Sequence, residues 1–397
     1  MADRRNGARI VLAIAAHNAA KRWRTRLRRA LFVVYLGSTA LLLSPATADT
    51  MKPNPRLAGL GDSEALDLGS YECETRVPDL NCRTIFDYSR INYDRLHQRF
   101  VIFGGGHAAT GRTDIDAFDM QTLEWRSLYP SMRCEEVAAN DVDPRGFHLN
   151  TRHPVARHSY DQNVIAEIDG QAWLLMFSNE GFAGHCHKRN VKITSPAAFP
   201  LNDPDVGWTF GPKVNQHWHY AGSAEFDPVS GYVILLSHRS GGLWVYDPVG
   251  HTIIATLKGM QPASDSATLT FNPRDRNLYL IDRKSLNVRR ITLDRDDWQK
   301  TQMTDVATTG EKPPQMRNFA YDSRNHVIGG IADGRFYSLD LDGYEWRTHA
   351  ITSRSETGAR LHSVHSHAID YDPVNNVFIV MSGKPDRWHT WAYRYRR

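Results

Sequence analysis

The sequence lacks several features that would place it in a common functional class. It has four cysteines in 397 residues and no run of about 20 apolar residues, the length that a membrane-spanning helix needs. No Ser-His-Asp order and no pair of acidic residues stands out as a catalytic group. The glycine run Gly104-Gly105-Gly106 ends one apolar run and precedes another strand, so no helix follows that could bind phosphate. Hydrolysis by a serine triad or an acidic pair, and nucleotide binding, are therefore not supported.

The first 48 residues differ in composition from the rest. Residues 1–29 hold nine Lys or Arg and one acidic residue, and residues 30–43 are mainly apolar. The small residues Ala46, Thr47 and Ala48 then fit the cleavage site of a secretory signal peptide. The sequence predicts a signal peptide over residues 1–48, no stable membrane span after cleavage, and a secreted or periplasmic protein. An uncleaved signal anchor is the alternative.

The net charge changes sign when this leader is removed. The whole chain carries +4 at pH 7, but the residues after the leader contain 39 Lys or Arg and 43 Asp or Glu, a net charge of −4. The basic pI of 8.8 thus belongs to the leader and gives no support to nucleic-acid binding. A polyanionic partner would have to be bound by a local group of basic side chains.

All four cysteines follow the leader, at Cys73, Cys82, Cys134 and Cys186. Four cysteines allow three pairings, and an exported protein meets an oxidising compartment, so we expect structural disulfides. A bridge from Cys73 to Cys82 would close a short N-terminal loop, and the other two cysteines lie in loop-like insertions. A free Cys186 between two histidines is the alternative.

One short sequence motif recurs six times, in which an Asp or Asn closes a tight turn between two apolar runs. The turn residues are Asp94, Asp169, Asp227, Asn272, Asp322 and Asp372. Their steps are 75, 58, 45, 50 and 50 residues, and four strands with their loops need about 40–50 residues. The sequence predicts an all-β fold, a β-propeller of six to seven four-stranded blades, over residues 91–397. Residues 49–90 would either add a closing strand to the last blade or contribute to a seventh.

The blades resemble those of Kelch-family propellers across nearly the whole chain after the leader. The best matches are the glycine run at 104–106 followed by Asp119 and Trp125, and the pair at 329–330 followed by Asp340 and Trp346. The resemblance implies that an aromatic or aliphatic residue before the Asp, and the Trp several residues later, pack one blade against the next.

The repeated turns also assign residues to the two faces of the ring. Residues about 5–11 positions before each turn share a face with the residues that follow the second strand of the blade. Most of the 18 histidines fall in these positions, whereas the loops of the other face hold mainly Asp, Asn, Pro and Gly. We therefore expect a central pocket lined by His, Arg and Tyr on the face opposite to the turns.

On this face, His158, Tyr220 and Arg239 form the predicted catalytic group. Such residues suit β-elimination on a uronic-acid polysaccharide, because Arg would neutralise the carboxylate, His or Tyr would remove the C5 proton, and Tyr or a second His would protonate the leaving oxygen. The order His158, Asn179, Tyr220, Arg239 resembles that of propeller polysaccharide lyases that cleave ulvan, in which a second His is expected where Asn179 stands. Substrate contacts are predicted for His107, Asn179, His238, Arg317 and His365.

Two compact histidine pairs form a candidate metal site. Alternate residues of a strand point to the same side, so each pair could give two ligands to zinc. The four predicted ligands are His185, His187, His217 and His219. The predicted reaction requires no cofactor, and zinc bound here would have a structural role.

The sequence therefore predicts an exported enzyme that acts on an acidic polysaccharide, as a lyase that works by β-elimination. The alternative is a non-catalytic Kelch-like propeller that binds a carbohydrate or a protein in the cell envelope, because one fold serves many functions. We expect a monomer with no nucleic-acid partner.

Overall fold

The computed structural model describes most of the chain after the leader. The described residues are 51–72, 85–104, 111–139, 141–177, 180–181, 191–193, 195–211, 222–237, 242–260, 267–316, 318–384 and 387–397. Residues Lys52–Arg397 form one compact unit, and the elements below belong to it. Within the described ranges, no helix has both the length and the apolar character needed to cross a membrane.

Six antiparallel arrays of four strands form the blades, numbered here in chain order with their strands given from the inside outwards. Blade 1 contains Asn92–Asp94, Arg99–Phe103, Ile115–Asp119 and Glu124–Tyr129; blade 2 contains Asn163–Ile168, Gln171–Met176, Ala197–Pro200 and Thr209–Phe210; blade 3 contains Gly222–Asp227, Tyr232–Ser237, Gly242–Asp247 and Thr252–Lys258. Blade 4 contains Ala267–Asn272, Asn277–Asp282, Val288–Thr292 and Gln302–Val306; blade 5 contains Ala320–Asp322, Val327–Ala332, Arg335–Asp340 and Glu345–Ala350; blade 6 contains Ile369–Asp372, Val377–Lys384, Arg387–Arg394 and Glu64–Ser70. The predicted all-β propeller is confirmed, with six blades in the described part of the chain.

Short elements extend some blades. Thr309–Gly310 and Thr352–Arg354 add parallel strands outside blades 5 and 6, and Glu180–Gly181 pairs with Val191–Lys192 in an insertion of blade 2. The described residues also contain the short α-helices Pro55–Ala58 and Cys134–Ala139 and the 3-10 helices Pro204–Val206 and Trp298–Lys300.

The first strand of the described residues closes the last blade. Glu64–Ser70 pairs antiparallel with Arg387–Arg394. Arg394 also holds the preceding turn, because its guanidinium donates to the carbonyls of Leu57 at 3.0 Å and Leu60 at 2.8 Å. The inner strands contact one another in blade order, and blade 6 contacts blade 1, so the ring is complete. Glu64–Ser70 therefore belongs to blade 6 and not to a seventh blade.

Apolar side chains are buried between neighbouring blades. Val101 and Phe103 pack against Leu174 of blade 2, whereas Phe100 and Ile102 of the same strand pack against blade 6. Alternate side chains of a strand point to opposite faces, so a strand buried on both faces has a continuous apolar sequence. In the described residues, each of the six pairs of neighbouring blades shares one such cluster.

The repeated turn joins the inner strand to the second strand of each blade. In blades 3 to 6 the Asp or Asn side chain accepts a hydrogen bond from the backbone N–H two residues later, as from Val374 to Asp372 at 2.8 Å. Blade 2 differs, because Asp169 and Gly170 form a two-residue turn with φ of 51° and 75°. Turn residues from five blades line one opening, so the predicted turns share one face, called the turn face below.

The glycines that carry the Kelch resemblance have steric roles. A Cβ atom on Gly104 would overlap the carboxylate of Asp114, and one on Gly329 would overlap the ring of Phe336. At Gly330 the added atom would lie 2.5 Å from the carbonyl oxygen of Asn318. These positions admit no side chain because strands and side chains approach the backbone closely there.

Candidate functional site

The face opposite to the turn face, where the chain enters each inner strand, is called the entry face. Of the residues predicted to act there, His158 and His365 are described. Those that lie outside the described residues are Tyr220, Arg239, His107, Asn179, His238 and Arg317, together with the predicted zinc ligands His185, His187, His217 and His219.

His365 is paired with a carboxylate that is distant in sequence. It precedes the inner strand of blade 6, and its Nε2 atom bonds Oδ1 of Asp87, which precedes blade 1. Its backbone N–H donates to Met381 at 2.9 Å, and its ring centroid is 4.2 Å from that of Trp388. An ionised carboxylate only accepts, so a neutral ring presents Nε2–H to Asp87 and leaves Nδ1 as the basic atom.

Both partners of this pair are accessible. The side chains of Asp87 and His365 are each 27 % exposed, and Nδ1 of His365 has no hydrogen bond to any described residue. The pair lines a pocket of ≈ 470 Å³ together with Asn318, Asp333 and Ser366. Small-ligand sites typically have about 300–1,000 Å³ and a few convergent polar groups. This pocket therefore has the size and the polar lining of a ligand site.

The backbone around the pocket adopts a rarely occupied conformation at three aligned positions. Tyr88, Tyr160 and Ser366 have φ of 54°, 48° and 50°, and each precedes an inner strand. The backbone N–H of Tyr88 donates to Oγ of Ser366 at 2.8 Å, and Asn318 donates to the Ser366 carbonyl. Left-handed non-glycine residues persist where their surroundings enforce them, and such residues cluster at functional sites.

His158 is placed differently from His365. Its residue is 7 % exposed, and its ring stacks on Tyr88 with centroids 5.1 Å apart and planes at 26°. Tyr160 meets the same ring edge-on at 5.7 Å. His158 thus lies behind Tyr88, which itself lines the pocket. Its contacts support Tyr88, and its catalytic role stays a prediction.

The structure describes one of the four cysteines and none of the predicted zinc ligands. Among the described residues, no three His, Cys, Asp or Glu side chains come together so that they could hold a metal ion. Cys134 is disulfide-bonded, and Cys73, Cys82 and Cys186 lie outside the described part of the chain. The pairing of the cysteines and the zinc site therefore stay predictions.

A second polar group lies in the central channel, a cavity of ≈ 630 Å³ that opens on the turn face. The guanidinium of Arg90 lies 3.4 Å from Asp161 and 3.3 Å from Glu225. Asp370 of blade 6 faces the same guanidinium and accepts from the backbone N–H of Tyr93 at 2.8 Å. One cation and three carboxylates therefore connect the inner parts of blades 1, 2, 3 and 6.

Burial governs the protonation of these carboxylates. It raises the pKa of Glu225 to about 8 and that of Asp161 to about 6, although the positive charge of Arg90 acts in the opposite direction. Burial also raises the pKa of Asp370. One guanidinium does not balance three desolvated carboxylates, so the channel binds protons as the pH falls toward 6.

Sequence reasoning missed the partner of His365. Asp87 and Tyr88 lie seven and six residues before Asp94, in the same range as the predicted histidines. The signal was therefore present, but an acidic side chain did not match the expected basic pocket. The channel group was missed because nothing local in the sequence relates Arg90 to Glu225.

The comparisons with known proteins show no family for this chain. No protein-family model and no curated protein matches it. Among solved structures, it is similar to a structural genomics protein of unknown function from Bacteroides thetaiotaomicron VPI-5482, with 10 % identity over 83 % of this chain and 74 % of that chain, at a TM-score of 0.47. It is also similar to an auxiliary nutrient binding protein from the same organism, with 13 % identity over 87 % of this chain and 75 % of that chain, at a TM-score of 0.47. Likenesses this weak carry no functional argument, and the propeller assignment rests on the strand order of the chain itself.

Proposed function

We propose that this propeller is an exported enzyme that cleaves a uronic-acid-containing polysaccharide by β-elimination, with the reacting sugar in the entry-face pocket. The observation that supports the proposal most strongly is the His365–Asp87 pair. It combines an accessible imidazole, a carboxylate that orients it and a pocket of ligand size. The basic, apolar and small-residue segments of residues 1–48 support the exported location.

In the proposed reaction, Asp87 accepts a hydrogen bond from Nε2 of His365, and Nδ1 removes the C5 proton of the uronic acid. The C–H electron pair forms the C4–C5 double bond, and the C4–O bond to the leaving chain breaks. Tyr220 would give its proton to the leaving oxygen, and Arg239 would neutralise the carboxylate that acidifies C5. These last two roles are predictions from the sequence.

The test is to incubate the purified protein with a panel of uronic-acid polymers and to follow the ultraviolet absorbance of the unsaturated product. His365→Ala should lower kcat by about 10²–10⁴-fold, the usual contribution of a general base. Asp87→Asn should lower it by a smaller factor, because the ring remains but loses its orienting carboxylate. His97→Ala is the matched control, since His97 also bonds an aspartate, at 2.7 Å, but at a hairpin turn, on the turn face.

Two results would contradict the proposal. One is the absence of unsaturated product with every polymer of the panel. The other is a His365→Ala variant that retains the activity of His97→Ala. Binding of a polymer without cleavage would instead support the alternative prediction, a non-catalytic carbohydrate-binding propeller.

A further inference from the structure

A second groove adjoins the entry-face pocket. It has a volume of ≈ 410 Å³, and both cavities are lined by Ser363, Val364 and His365. Its opposite wall is the end of the second strand of blade 6, at Lys384. A chain-like ligand with one unit at His365 would therefore have its next unit in this groove.

The groove carries positive charge that is not paired within the described part of the chain. Arg360 and Lys384 are exposed and line it, and neither forms an ion pair with a described residue. Exposed arginines nearby behave differently: Arg347 binds Glu345 at 2.7 Å, and Arg354 binds Glu64 at 3.3 Å. As far as the described residues are concerned, Arg360 and Lys384 are therefore available to an anionic ligand.

Two acidic side chains hydrogen-bond to histidines that line the groove, Asp87 to His365 and Asp67 to His389. Asp67 accepts from Nδ1 of His389, which lines the groove, at 3.0 Å and from Oγ of Ser355 at 2.7 Å. The carboxylate of Asp67 is therefore engaged by His389 and Ser355. Exposed His362 also lines the groove, and its Nδ1 atom bonds Oγ of Ser363 at 2.9 Å.

We propose that this groove is a binding subsite for the carboxylate of the sugar next to the reacting one, with Arg360 and Lys384 as the residues that bind it. The proposal rests on the proposed function, because it takes the reacting sugar to lie at His365. It makes the two cations determinants of specificity: they favour a polymer that is charged at successive units over a neutral one. They take no part in proton transfer, so their contribution is to substrate affinity.

The first experiment compares the double variant Arg360→Gln/Lys384→Gln with the wild type on a polyuronate. We expect KM to rise about tenfold while kcat changes less than about twofold, the pattern of lost uniform binding. The matched control is Lys258→Gln/Arg276→Gln, which removes two exposed cations outside the groove that form no ion pair with a described residue. The advantage of the wild type over the double variant should also shrink with added salt, because ions screen exposed charges.

The second experiment measures binding separately from cleavage. Affinity electrophoresis is run in a His365→Ala background with the polyuronate and with its carboxyl-reduced, neutral form. Substitution of Arg360 and Lys384 should weaken binding of the charged polymer and leave binding of the neutral polymer unchanged. If the wild type cleaves the polymer and the double variant has an unchanged KM, the proposed subsite is refuted and the proposed function is not. If binding depends on Arg360 and Lys384 but no unsaturated product forms, the proposed lyase activity is refuted and the proposed subsite is not. Absence of both binding and cleavage would overturn both.

Discussion

Replacement of Arg90 by Met tests whether the channel group holds the ring together. The guanidinium of Arg90 faces Asp161 and Glu225 and also donates to the carbonyl of Ala224 at 3.1 Å. Met has a similar length and no charge, so the variant keeps most of the volume and leaves three desolvated acidic side chains without their cation. Removal of one partner of a buried ion pair costs about 3–5 kcal/mol.

This cost can be expressed as a melting temperature. An unfolding entropy of about 2.1 cal/mol/K per residue gives roughly 0.7 kcal/mol/K for a unit of this size. Arg90→Met should therefore lower Tm by about 4–7 °C near neutral pH. Arg95→Met is the control, because Arg95 is 56 % exposed and pairs with Glu167 at the mouth of the same channel. An exposed pair contributes about 0–1 kcal/mol, which corresponds to less than about 2 °C here.

The pH dependence of the stability difference between the wild type and Arg90→Met has a definite sign. A carboxyl group whose pKa is raised in the folded state stabilises the fold fully below its unfolded pKa, and this stabilisation is lost as the pH rises through the folded value. For Glu225 the window runs from 4.5 to about 8. Without Arg90 the folded pKa values rise further, so the variant should continue to lose stability above the pH at which the wild type stops, about 6 for Asp161 and about 8 for Glu225.

The assay is thermal unfolding of wild type, Arg90→Met and Arg95→Met at pH 5.5 and pH 8.5. We expect the Tm gap between wild type and Arg90→Met to be wider at the higher pH. Comparison at each pH cancels the contribution of other titrating groups. A gap no larger than that of Arg95→Met, or one of equal size at both pH values, would refute the reasoning.

Two further substitutions test packing and ring closure. Gly330→Ala should destabilise by about 1–3 kcal/mol through overpacking, because its Cβ would lie 2.5 Å from a backbone carbonyl oxygen; Gly343→Ala, with nothing within 4 Å, is the control. Equal Tm values for the two would contradict this. Arg394→Met should lower Tm and speed limited proteolysis near residue 60, since five backbone carbonyls lose a donor, whereas exposed Arg396→Met should do neither.

The fold was predictable because each blade repeats the same local chemistry. An Asp or Asn that binds the N–H two residues later, as Asp322 does with Arg324 at 2.9 Å, marks a hairpin whatever its surroundings. The apolar runs that follow are buried on both faces and therefore read as strands. The role of Glu64–Ser70 was left open, because pairing with Arg387–Arg394 depends on closure of the whole ring.

The candidate site was less predictable because burial and pairing depend on other blades. His158 and His365 both precede inner strands, and nothing in their local sequences separates them. Tyr88, from another part of the chain, covers one of them, and Asp87 binds the other. The face of each histidine could be predicted from the turn spacing; its exposure and its partner could not.

The closure of blade 6 by the first strand has a consequence for how the chain is completed during synthesis. Asp67 and His389, which bond across this junction, are 322 residues apart. Each doubling of a loop costs about 0.6 kcal/mol, so the distance adds little thermodynamic penalty. The effect on ring closure is kinetic. Glu64–Ser70 is synthesised early and has no partner strand until Arg387–Arg394 is made, so its pairing is delayed. Loss of Glu64–Ser70 would remove the fourth strand of blade 6, whereas loss of Arg387–Arg394 would remove the third and also separate Glu64–Ser70 from the blade. A circular permutant that joins the two strands would remove this waiting period.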